Sequence, residues 1–157
     1  MPKAGRLNLL KRIFGEVFIP EEVKIEVVDK GKALGKKDTY IIEKALKDGW
    51  LKVVRAEPPE ISVGLHPRET AALSLAKKLA MEEILMDEVP ARIATKLLGL
   101  TPRGTIFVLL RALEMKELTL DGFLELLSRL VQQGFRLRGE VFLEAVRKAQ
   151  ETAEKNG

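Results

Sequence analysis

The chain has no cysteine, one histidine, one tryptophan and one tyrosine, and aromatic residues make up 5% of it. Without cysteine there is no disulfide, no zinc–thiolate centre and no cysteine nucleophile. The sole histidine, His66, stands before a proline in a loop. That setting suits a structural or exposed residue better than a general base. So few aromatics give little basis for the base-stacking platforms of single-strand binders. No apolar run approaches the length of a membrane span, and the amino terminus carries no signal-peptide core, so the expected setting is cytoplasmic. A glycine-rich phosphate loop of the Walker or dinucleotide type is also missing, as are fixed-period repeats and low-complexity tracts.

What is present describes a folded protein. At 157 residues, with 46% hydrophobic and 32% charged content, the chain can bury a real core as one domain. The net charge of +4 is unevenly spread. Residues 1–56 hold 13 Lys+Arg against 8 Asp+Glu, giving +5, and the remainder holds 14 against 15, giving −1. A basic flank beside an acidic pocket suits a polyanion whose phosphates approach a bound metal, although a lysine-rich solvated face has the same composition.

Strand and helix signals alternate through the first hundred residues. A helix is expected over residues 4–14, closed by Gly15, followed by the strand EVFIP (16–20) and a second helix from Pro20 to about Lys32. GKALGKK (31–37) reads as a loop. A third helix spans roughly Asp38 to Lys47, capped by Asp38 and closed by Gly49, and LKVV (51–54) is the next strand. EPPE (57–60) is a connection, because two prolines remove ladder donors. The turn ISVGLHP leads into a helix opening with Glu69, and then comes a short apolar strand, Ile84 to Met86, stopping at Asp87. A further helix runs from about Pro90 to Leu98, and residues 100–104 form a loop with at most a brief strand. Beyond it, Ile106, Leu109, Leu110 and Leu113 share one helical face. Leu120, Phe123, Leu124, Leu127, Leu130 and Val131 share a second, and Val141, Phe142, Ala145, Val146 and Ala149 a third. The last two helices are expected to pair as a hairpin. The pattern predicts a single domain over 1–157, with an α/β part (4–118) built on a parallel sheet flanked by helices and a helical hairpin (119–154).

In open α/β sheets, ligands bind beyond the carboxyl ends of the strands. Asp87 and Glu88 stand at such an end, and Glu69 lies in a first helical turn near the positive end of the helix dipole. Carboxylates converging there suit a hard divalent cation, Mg²⁺ or Mn²⁺. Aspartate also caps helices very often, and a first-turn glutamate or a solvent-facing Glu88 needs no ligand to explain it.

The segments LHPRETAALSLA, ILMDE, ARIATKLLGL, RGTIFVLLRA and QQGFRLRGE, with AGRLNLLKRIFGEVFIPEEV upstream, together resemble the PIN-domain superfamily, in particular its small VapC-like prokaryotic branch. The resemblance covers most of residues 4–145 and rests on the order and spacing of motifs that are individually weak. It implies a parallel sheet with flanking helices and an acidic Mg²⁺ or Mn²⁺ site that cleaves single-stranded RNA through metal-activated water. Glu69 matches the family's mid-chain acid, Asp87 its strand-end acid, and Glu88 the neighbouring second acid. Arg103, Gly104 and Thr105 match a turn before a helix, where amides meet a phosphate, and Arg92 and Arg103 are candidate phosphate contacts. It also implies a homodimer and, in a toxin-like pair, a small antitoxin-like partner.

The resemblance begins at the first helix. PIN proteins open with an apolar central strand ending in a metal-binding aspartate, and here no acid precedes Glu16. The N-terminal strand is therefore expected to be missing and the acidic site incomplete. Two readings follow: a metal-dependent ribonuclease with an impaired site, or a non-catalytic module that binds RNA or a protein partner.

Overall fold

The computed structural model describes residues 7–30, 38–55, 65–135 and 137–156. The expected loop 31–37, the EPPE connection, the ISVG turn, the start of the first helix and the side chain of Asp38 lie outside these residues. Two compact units emerge, one formed by residues 16–105 and the other by residues 1–15 with 106–157.

The unit of residues 16–105 is α/β. Strand β1 (Val17–Pro20) runs into α2 (Glu21–Lys24), which widens into a π-helical turn (Ile25–Asp29). Helix α3 (Asp38–Asp48) leads through Gly49, at φ +85°, into β2 (Leu51–Val54). Helix α4 (Pro67–Lys78), strand β3 (Glu83–Leu85), helix α5 (Val89–Leu97) and strand β4 (Thr101–Arg103) complete it. The strands form two parallel pairs, β1 with β2 and β3 with β4, in registers that place Val17 beside Leu51 and Leu85 beside Arg103. Helix α4 packs on both β1 and β3. Beneath it, Leu73, Met86, Ala91 and Ala94 form a buried cluster backed by Ile84, Leu98 and Leu100.

Residues 100–104 thus hold a true strand. Pro102 is tolerated in it, as at other short edge strands. The helix expected from Pro20 to Lys32 begins one residue later, because Pro20 is extended (φ −73°, ψ 159°), ends β1 and caps the helix instead of opening it. Its switch from α to π spacing left no trace in the apolar pattern.

The second unit is helical: α1 (Asn8–Phe14), α6 (Thr105–Glu114, entering at Ile106), α7 (Leu120–Gln132) and α8 (Gly139–Asn156). Thr119 caps α7, its hydroxyl accepting from the Gly122 amide at 3.1 Å. Leu9, Leu109, Leu113, Phe123, Leu127 and Ala149 anchor one core. Helices α7 and α8 pack on each other. Two stripe residues differ from expectation: Val131 and Val141 are exposed, at 42% and 44%. Leu126 takes the buried place on α7 instead. No helix among the described residues is long and apolar enough to cross a membrane.

Candidate acidic site at the end of strand β3

Parallel pairing delivers Asp87 to the strand end. The Met86 amide donates to the Arg103 carbonyl at 2.9 Å, extending the β3–β4 ladder one residue, and Met86 itself is buried. The next residue leaves the sheet, so the Asp87 side chain reaches the turn after β4. There its carboxylate accepts from Thr105 twice: from the amide at 2.8 Å through Oδ1 and from the hydroxyl at 2.6 Å through Oδ2. Asp87 therefore satisfies the amide opening the Thr105 helix, a capping role played from another strand rather than from its own helix. In α5 the cap position belongs to Glu88, which makes no side-chain cap bond.

Gly104 makes this approach possible. A Cβ there would stand 2.8 Å from Asp87 Oδ1 and 3.1 Å from Arg92 Nη1. Arg92 donates from Nη1 to the Met86 carbonyl at 2.9 Å, placing a cation beside the aspartate. Arg103 turns elsewhere, its Nε donating to Glu83 at 3.1 Å. Asp87, Arg92 and Thr105 are thus brought together around Gly104, while Arg103 pairs along the strand.

Glu69 lies in the first turn of α4, whose start is fixed by His66: its Nδ1 accepts from the Arg68 amide at 3.2 Å. The lone histidine has a structural use. Both residues that flank Glu69, Arg68 and Thr70, are engaged. Thr70 donates its hydroxyl to the His66 carbonyl at 3.0 Å. Arg68 binds Glu26 on the π-helical turn. This pair holds the Glu26 carboxyl below its usual range and the Arg68 guanidinium above its own, and in both cases the hydrogen bond is the largest cause. The charges of Glu69 and Glu88 also help to raise the Arg68 guanidinium, so each acid lies near that partly exposed cation. Nothing in the sequence pointed to Glu26, which lies 42 residues from Arg68. Its only signal was a glutamate in a run of alternating apolar residues.

Among the described residues, no group of three or more Asp, Glu or His side chains is placed to hold a metal ion. The strand-end aspartate, its adjoining acid and the first-turn glutamate are the available carboxylates.

A family model described as a PIN domain matches residues 1–151. No curated protein and no solved structure gave a significant match. With nearly the whole chain inside that match, and an acid at the end of a parallel strand, the protein belongs to the PIN-domain family.

Proposed function

We propose that this protein is a nuclease-type PIN protein acting on single-stranded RNA in the cytoplasm, with a minimal Mg²⁺ or Mn²⁺ site on Asp87 and Glu69. The observation that carries the proposal is the double hydrogen bond from Thr105 to Asp87, which fixes a carboxylate at the open end of β3. PIN domains generally use divalent metals. The residues fit such an ion in the manner of Mg²⁺, which is commonly held by one or two carboxylates with waters and substrate phosphate completing its shell. A carboxylate offers about four lone-pair positions, and the two Thr105 bonds leave room for a cation. When bound, the metal would lower the pKa of a water and offset charge on the phosphate. Asp87 and Glu69 would hold it, Glu88 would add negative charge, and Arg92 would meet a backbone phosphate. Thr105 keeps the Asp87 carboxylate oriented.

A labelled RNA incubated with Mn²⁺ tests this. Asp87→Asn keeps the shape and an acceptor for the Thr105 amide while removing the charge. Cleavage should fall by on the order of a hundredfold, the scale of losing one charge-stabilising group in other active sites. Unchanged cleavage by this variant would overturn the assignment.

One observation favours a second reading, a non-catalytic RNA-binding module: no group of three acids converges among the described residues. That reading expects salt-sensitive RNA binding that persists in EDTA, with no products at any metal concentration.

A further inference from the structure

An arginine stands among the acids at the start of α4. Arg68 occupies the second helical position, immediately before Glu69. Its backbone is fixed there, because the Arg68 amide donates to His66 Nδ1 at 3.2 Å. The Glu69 and Thr70 amides both donate to the His66 carbonyl, at 2.9 and 3.2 Å. With these three amides paired, the positive charge at this end of α4 is carried chiefly by the Arg68 side chain.

From that base the guanidinium reaches the π-helical turn, where its Nη1 donates to Glu26 Oε1. Helices α2 and α4 pack on each other, so the pair joins two elements that already meet. Glu69 and Glu88 act on the same guanidinium through their charges. Three carboxylates thus share one cation. Its bond to Glu26 is half in solvent, with the two side chains 40% and 37% exposed. Such a pair is screened and opens at little cost. The guanidinium itself never loses its charge, so it remains a cation in every state of the site.

We propose that Arg68 is a built-in counter-cation of the acidic site and competes there with the divalent ion. Without metal, it offsets the mutual repulsion of Glu26, Glu69 and Glu88. Toward an ion held on Asp87 and Glu69 the same guanidinium is repulsive. Arg68 therefore raises the metal concentration at which the site fills. The inference rests on the reading of Asp87 and Glu69 as a cation site.

Calorimetric titration of Mn²⁺ into the parent, Arg68→Gln and Arg68→Lys at one ionic strength tests it. Arg68→Gln should bind Mn²⁺ at least about fivefold more tightly, the repulsion expected between a unit charge and a divalent ion roughly 8 Å apart in a water-like dielectric. Arg68→Lys keeps the charge and should bind as the parent does. Arg147→Gln, which removes an exposed cation from α8, should change nothing. Melting curves give a second readout. Metal-free Arg68→Gln should melt slightly below the parent, and Mn²⁺ at one fixed concentration should raise its melting temperature by more. Equal or weaker Mn²⁺ binding by Arg68→Gln overturns the inference, and so does an equal gain in Arg68→Lys. Binding that survives in Glu69→Gln/Asp87→Asn, or that is absent from parent and Arg68→Gln alike, overturns the cation-site reading and this inference with it.

Discussion

Gly104 and Asp87 are spaced so tightly that Gly104 has no room for a side chain. A methyl group at Gly104 would stand 2.8 Å from Asp87 Oδ1, so Gly104→Ala must displace the carboxylate or Arg92. The expected cost is about 1–3 kcal/mol in chemical unfolding, with loss of any function that depends on Asp87. A parent-like midpoint would contradict the described approach. The Arg68–Glu26 pair makes a prediction in pH. The folded carboxyl of Glu26 titrates below its usual value of 4.5, so the pair's contribution is present above that value and is lost as pH falls through the lowered one. Both side chains are more than a third exposed, at 40% and 37%, so solvent screening limits the effect to about 0–1 kcal/mol. Arg68→Ala should be slightly less stable than the parent near neutral pH, and the difference should vanish well below 4.5. A gap that widens on acidification would contradict the pairing. The place of Asp87 at a strand end was legible from sequence, because the short apolar run Ile84–Met86 stops there. Its bond to Thr105 was not, since a contact across 18 residues depends on the β3–β4 register. That register was hidden by the brevity of β4 and the proline inside it.

Helices were read well where glycine ends them and poorly where another residue does the same work. Gly15, Gly49, Gly99 and Gly134 all have positive φ just after helical stretches. Ala80 and Lys116 take the same left-handed conformation at φ +54° and +63°. Each closes a helix with the following amide reaching back five residues: Met81 to the Ala76 carbonyl at 2.9 Å and Glu117 to the Ala112 carbonyl at 2.8 Å. A non-glycine residue there costs about 1–2 kcal/mol, part of which glycine returns through its freer unfolded chain. Ala80→Gly should therefore stabilise by about 0.5–1 kcal/mol in thermal or urea unfolding, and destabilisation would contradict the assigned turn. In the helical unit the weight falls on α7. Phe123 is fully buried, and Phe123→Ala should cost about 3–5 kcal/mol. The apolar period located α7 and α8, but it assigned Val131 and Val141 to buried faces because periodicity fixes a stripe's direction only to within a residue or so at its ends.

At the level of the whole molecule, composition excluded thiol chemistry, and the order of several weak motifs revealed the family. No single motif would have sufficed. The α/β class followed from alternating signals, whereas the separation of the strands into two parallel pairs did not, because pairing partners leave no mark in the apolar pattern of three- and four-residue strands. The central claim is that Asp87 and Glu69 still form a divalent-cation site. Calorimetric titration of Mn²⁺ into the chain, beside the Glu69→Gln/Asp87→Asn double variant, tests it most directly. Saturable heat in the parent that disappears in the variant is the predicted result. Equal heats in both proteins, or none in either, would contradict it.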